Sequence, residues 1–173
     1  DELLRSGAQI MCIGRSLNNN LSKLLSEHPN SSCFHPLDLT EQQNVDFLSH
    51  KISEKYETLD GIVFNIGSVV KQSSDLTAVQ SWLKHFDTNI FASVNLCEAL
   101  TPKFISSKSS LIFIGSIAAK QYLGAPSAYS AAKASVNIYA KDLAKKLGKF
   151  AVRVNTINPG NIIFPDGNWY NKQ

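Results

Sequence analysis

Apolar runs of strand length alternate along this chain with longer segments whose apolar residues recur at helical spacing, and few folds accommodate that alternation. The runs AQIMCIG (Ala8–Gly14), SSCFHPLDL ending near Asp38, LDGIVFNIG (Leu59–Gly67), SSLIFIGS ending at Ser116 and FAVRVNTINPG read as strands. The third has no polar alternation until Asn65, the mark of a strand buried on both faces. Between them, Leu17, Leu21, Leu24 and Leu25 lie at helical spacing before Pro29, and a second helix begins at Thr40 with Val45, Leu48 and Ile52 along one face. A long helical segment runs from about Leu76 to Phe104, and another covers SAYSAAKASVNIYAKDLAKKLG. The opening DELLRSG reads as the end of a helix closed by Gly7.

Strand followed by helix throughout, with no repeat and no linker, predicts an α/β fold. Its form is a Rossmann-type doubly wound parallel sheet with helices on both faces, joined by right-handed crossovers. Residues 1–173 are expected to form a single domain. Sheets of this kind place their first strand centrally, in the order 3-2-1-4-5-6, and follow it with a glycine-rich turn. The nine glycines here are dispersed and make no G-x-G-x-x-G. The first strand and the glycine-rich loop are therefore expected to be absent from this chain, which reads as a piece truncated at both ends.

Composition narrows the function classes. With 43% apolar and 18% charged residues the chain is globular rather than disordered. The net charge of +3 comes from scattered lysines, and the densest basic run, Lys141 to Lys149, spreads over the solvent side of a helix. No nucleic-acid partner is expected. Cys12, Cys33 and Cys97 fit no metal or redox spacing, and neither do the four histidines, so no metal is expected. Cys12 and Cys33 fall in strand-like runs and read as buried, reduced thiols. No apolar run is long enough to span a bilayer, so no membrane partner is expected and the expected compartment is cytoplasmic.

Ligands of such sheets bind at the C-terminal ends of the strands. Ser116 ends one strand, and Tyr129 and Lys133 lie in the first turns of the next helix, where the i,i+4 spacing sets both on one face. A phenol with an ordinary pKa of about 10 is a poor acid–base at neutral pH, and a fixed cation beside it favours the phenolate. A serine hydroxyl in reach of the same carbonyl oxygen steadies developing charge. These are parts for protonating an alkoxide as hydride arrives.

Over nearly its whole length the chain resembles the short-chain dehydrogenase/reductases, in particular their 3-oxoacyl-[acyl-carrier-protein] reductase type. YSAAK is similar to the family's Tyr/Lys motif, and Ser116 stands 13 positions before Tyr129, where the family keeps its catalytic serine. DTNIFASVNL resembles the segment bearing a fourth catalytic residue, here Asn89. FNIG resembles N-N-A-G at Asn65 and Gly67, DLT resembles the adenine-contacting Asp at Asp38, and Asn158–Gly160 resembles the turn N-P-G.

The resemblance implies that Tyr129 is the general acid in reduction and the base in oxidation. Lys133 would hold the nicotinamide ribose and depress the Tyr129 pKa, Ser116 would orient the carbonyl, and Asn89 would hold a water linking Lys133 to solvent. Asp38 would contact the adenine and Asn65 the adenosine ribose. Gly67, Pro159 and Gly160 belong to the same cofactor set, and Ile162 would bond the carboxamide through its backbone. A small carbonyl or alcohol substrate and a homodimer or homotetramer are also implied. The chain departs from the family at Phe64, Ile66 and Phe164, and Gly115 replaces the first of a usual pair of serines. Phe164, Trp169 and Tyr170 are candidate substrate-pocket residues.

Members that bind NAD end the second strand with an acid that accepts bonds from the ribose hydroxyls. That place is held here by Gly14, followed by Arg15 and Ser16. A guanidinium pairs with a 2′-phosphate through two parallel hydrogen bonds, so NADP(H) is expected over NAD(H). The alternative to an NADP-dependent carbonyl or 3-oxoacyl reductase is a catalytically silent Rossmann-type nucleotide-binding or regulatory protein. The intact set Asn89, Ser116, Tyr129 and Lys133 favours the enzyme.

Overall fold

A computed structural model describes residues 1–69 and 78–163. All strand pairs in it are parallel. β1 (Ile10–Gly14) pairs with β2 (Ser32–Pro36), Ile10 opposite Ser32 and Gly14 opposite Pro36. β3 (Gly61–Phe64), β4 (Ser110–Ile114) and β5 (Arg153–Ile157) form a second sheet in the order β3-β4-β5, with Phe113 between Phe64 and Thr156. Each crossover is helical, as parallel pairing demands. After a short α1 (Glu2–Arg5) come α2 (Asn19–Glu27) and α3 (Gln42–Lys55). α4 (Ala78–Phe86) continues through a π turn (Asp87–Phe91) into α5 (Ala92–Ser107), and α6 (Ser127–Leu147) joins β4 to β5. The architecture is the α/β, Rossmann-like one that the alternation predicts.

Residue chemistry accounts for the boundaries. Asn18 caps α2 by accepting from the Leu21 amide, and Gly7 takes the left-handed conformation (φ 83°) that ends α1. The helix expected from Thr40 begins instead at Gln42. The Thr40 amide and hydroxyl are both engaged by Asp38 in a tight turn. Leu76, where the long helix was expected to start, lies outside the described residues. Its π turn has no counterpart in the apolar spacing.

Two expectations of burial are corrected. β3 is not covered on both faces: Val63 is 51% exposed. It pairs only with β4, and among the described residues β1 and β3 share no ladder, so the strands form two sheets rather than one. Cys12 and Cys33 are half-buried and unpaired, and it is Cys97 that is fully buried.

The core lies between the sheets and a layer made by α3, α5 and α6. Val45, Leu48 and Ile52 supply the inner face of α3, against Leu100 and Phe104 of α5. The rings of Phe64 and Phe113 stack at 4.4 Å, with Tyr139 edge-on to Phe113 at 5.7 Å. Each such buried side chain contributes roughly 1.5–3 kcal/mol. Around Lys133 the buried stripe of α6 is small (Ala128, Ala132), which lets that part of the helix approach closely and carries Lys133 inward with it. Among the described residues no helix is long and apolar enough to cross a membrane.

Candidate active site

Because every strand runs the same way, Arg15, Asn65, Ser116 and Asn158, each of which follows a strand, share one edge of the molecule. The π turn brings Asn89 to that edge. Within it the Ala92 amide reaches back five residues to the Asp87 carbonyl, one more than in an α-helix. Asn89 is thereby fully buried, and its side chain is clamped. Nδ2 donates to the carbonyls of His85 and Ser68, both at 2.9 Å, and Oδ1 accepts from the Ser68 amide at 3.1 Å.

Lys133, 4% exposed, stands across this loop. Its ammonium donates to the Ile114 carbonyl at 3.0 Å and the Ile66 carbonyl at 3.3 Å, spanning the ends of β4 and β3. Among the described residues no carboxylate pairs with it, and burial pushes its pKa down to about 8. Gly67 (φ 147°) separates the two side chains: a β-carbon there would lie 2.5 Å from Asn89 Oδ1 and 2.6 Å from Lys133 Nζ. A residue without a side chain is required for both groups to converge.

Ser116 stands two residues past the end of β4. Its hydroxyl accepts from the Ala118 amide at 3.1 Å, capping a short 3₁₀ turn, and its own amide donates to Asn158 Oδ1 at 3.0 Å. Asn158 Nδ2 donates to Asn137 Oδ1 at 2.9 Å, and Asn137 Nδ2 donates to the Lys133 carbonyl at 3.3 Å. Tyr129 is half-buried in the first turn of α6, one turn before Lys133. Among the described residues no hydrogen bond joins Tyr129 to Ser116. The structure thus brings Asn89, Gly67 and Lys133 into contact, with Tyr129 and Ser116 alongside.

A cavity of about 170 Å³ opens between the ends of β1 and β3. Gly14, Arg15, Asp38, Thr40, Asn65 and Gly67 line it, together with Thr88 from the π turn. Asp38 Oδ1 accepts from both the amide (3.0 Å) and the hydroxyl (2.8 Å) of Thr40, and neither bond uses Oδ2. The Thr40 amide is the main reason the Asp38 carboxyl stays below its usual range. The Thr40 hydroxyl and Arg15 act in the same direction, against partial burial. Arg15 is exposed at the rim. The donor set fits a nucleotide: a guanidinium for phosphate, a fixed carboxylate for an amino group, and a glycine leaving room beside Lys133. Pro159, Gly160 and Ile162 do not line this cavity; they follow β5, where the Pro159 carbonyl holds the Ile117 amide at 3.0 Å. Phe164, Trp169 and Tyr170 lie outside the described residues. No cluster among the described residues could hold a metal ion.

The sequence reading missed the part played by Asn137 and Asn158. Asn158 stood in the quoted N-P-G, but a single asparagine on a helix, as Asn137 is, carries no periodic signal.

Residues 1–167 match the family model described as short chain dehydrogenase. A benzil reductase ((S)-benzoin forming) of Saccharomyces cerevisiae is 32% identical over 131 residues, 72% of this chain and 50% of that protein. An uncharacterized oxidoreductase of Staphylococcus aureus is 28% identical over 163 residues, 92% of this chain and 70% of that one. Among solved structures, the RhlG/NADP active-site complex of Pseudomonas aeruginosa aligns with a TM-score of 0.81 at 27% identity, covering 94% of this chain and 66% of that one. A short-chain dehydrogenase from Streptomyces avermitilis shares the fold at a TM-score of 0.84 and 23% identity, covering 95% and 60%. The chain spans half the length of the yeast relative.

Proposed function

Since this chain belongs to the short-chain dehydrogenase family, we propose that the protein it comes from is an NADP(H)-dependent oxidoreductase that interconverts a carbonyl and an alcohol. One observation carries the reading: Asn89, Lys133, Tyr129 and Ser116 gather at the strand ends, beside a cavity with nucleotide-binding chemistry. A silent relative has no need to bury an unpaired ammonium for which desolvation is unfavourable.

When bound, a nicotinamide cofactor supplies or takes the hydride. Arg15 would hold its 2′-phosphate, Asp38 its adenine and Asn65 its adenosine ribose. Lys133 would hold the nicotinamide ribose, and Pro159, Gly160 and Ile162 would contribute backbone to the nicotinamide end. Ser116 donates a hydrogen bond to the substrate oxygen and orients it. Tyr129 transfers its phenolic proton to that oxygen in reduction and takes it back in oxidation. Asn89, fixed by Ser68 and His85, keeps the loop after β3 against Lys133 and would hold the water through which the site exchanges protons with solvent.

The substrate is a ketone with some apolar bulk. This accords with the yeast relative, whose name specifies an aromatic diketone, and it leaves a 3-oxoacyl thioester as the other compound to try. The second subunit of a homodimer or homotetramer would cover the exposed Trp82 and Leu83 of α4. The deciding experiment is NADPH oxidation by the full-length protein with benzil and with a 3-oxoacyl thioester. Turnover of either supports the reading. Tight NADPH binding without turnover of any carbonyl supports the silent alternative instead.

A further inference from the structure

Ser116 and Tyr129 must meet on one substrate oxygen, yet the chain between them does not hold them in register. Residues 120–124 are exposed throughout, and Gly124 adopts a left-handed φ of 73°. Besides the bond from Lys133 Nζ to the Ile114 carbonyl, a link that ends on Ser116 itself runs through two side chains. The Ser116 amide donates to Asn158 Oδ1 (3.0 Å), Asn158 Nδ2 donates to Asn137 Oδ1 (2.9 Å), and Asn137 Nδ2 donates to the Lys133 carbonyl (3.3 Å). The ends fix the direction, because a backbone amide only donates and a carbonyl only accepts. Neither asparagine can turn over without losing both of its bonds. All four residues are at least partly buried, where such bonds strengthen one another. Gly115 completes the arrangement: a β-carbon there would run into the amide oxygen of Asn158.

We propose that Asn158 and Asn137 are positioning residues for the reaction, an amide relay that ties the backbone of Ser116 to the helix bearing Tyr129 and Lys133. The proposal rests on the oxidoreductase reading above. Neither asparagine donates to substrate. Both act by setting where the Ser116 hydroxyl stands, and a misplacement of about 1 Å in such a group costs up to roughly a hundredfold in rate.

The test is a double-mutant cycle in the full-length protein. Asn158→Ala and Asn137→Ala are each expected to lower kcat by roughly tenfold while the NADPH dissociation constant stays within about twofold. In a Ser116→Ala background neither should cost more than about twofold further, since the group they position is gone. Additive losses, or losses that follow cofactor affinity alone, overturn the proposal. Backbone amide exchange supplies a readout that needs no turnover. Asn137→Ala, which removes no group bonded to Ser116, should speed exchange of the Ser116 amide, and an unchanged rate there also overturns the relay. A protein that turns over no carbonyl yet shows faster Ser116 exchange keeps the relay and loses the oxidoreductase reading.

Discussion

Asn89 and Lys133 both crowd the face of Gly67 where a side chain would stand: a β-carbon at 67 would sit 2.5 Å from Asn89 Oδ1 and 2.6 Å from Lys133 Nζ. Gly67 also holds a φ of 147°, which a residue with a side chain adopts at a cost. Gly67→Ala is therefore expected to push Lys133 off the Ile66 and Ile114 carbonyls. The measurable results are a kcat/KM lowered by at least roughly tenfold and weaker NADPH binding, since a buried charge that loses its partners costs more than about 1.4 kcal/mol. A fully active variant would show that the contact has no part in function.

Lys133 makes stability depend on pH in a defined window. Burial lowers its pKa from 10.5 to about 8, so the folded protein disfavours the charged form by an order of 3 kcal/mol. Below pH 8 both folded and unfolded chains carry the proton, and the full cost is present. From about pH 8 to 10.5 the unfolded chain binds more protons than the folded one, so this group's contribution to stability rises with pH. Lys133→Met leaves the Ile66 and Ile114 carbonyls unbonded, but that loss does not vary with pH. The melting temperature of the variant relative to wild type should therefore be highest near pH 7 and fall toward pH 10. A constant difference would mean that Lys133 stays charged throughout.

Tyr129→Phe keeps the ring and removes the proton donor. Turnover should fall by at least roughly a hundredfold, the lower range for a general acid, with cofactor binding preserved. Near wild-type rates would remove Tyr129 from the mechanism.

Arg15 stands at the rim of the cavity that Asp38 and Thr40 also line. Arg15→Ala should lower the ratio of kcat/KM for NADPH over NADH by roughly tenfold or more, the worth of a charged hydrogen bond. A wild-type preference for NADH, or an unmoved ratio, would show that Arg15 does not read a phosphate.

Gly115→Ala should destabilise the protein, because the new methyl group meets the Asn158 amide. In Gly115→Ala/Asn158→Ala the collision with the amide is gone, and the 3.3 Å approach to Thr156 Cγ2 is left for that methyl to yield to. The double variant should melt no lower than Asn158→Ala alone, and a calorimetric scan of the three variants decides it.

Strand and helix order was legible because it rests on apolar periodicity, which survives without knowledge of partners. Ile10–Gly14 and Ser110–Ile114 are short apolar runs in sequence and strands in space. The exposure of Val63 was not legible, because a strand's own residues do not say what covers them. Ser116, Tyr129 and Lys133 could be singled out by residue type and spacing, and Asn89 by the resemblance of DTNIFASVNL to the family's segment. The π turn that buries Asn89 could not, since it arises from one extra residue in a helix whose apolar pattern reads as unbroken. The link from Asn158 to Asn137 was equally hidden, because it joins residues 21 positions apart in sequence through side chains only.

The fit between Gly115 and Asn158 also constrains how this protein can change over generations. On this backbone a side chain at 115 is admissible only once 158 has become smaller. A relative that pairs a serine at 115 with the asparagine of N-P-G at 158 must instead hold the end of β5 farther from β4 than it lies here.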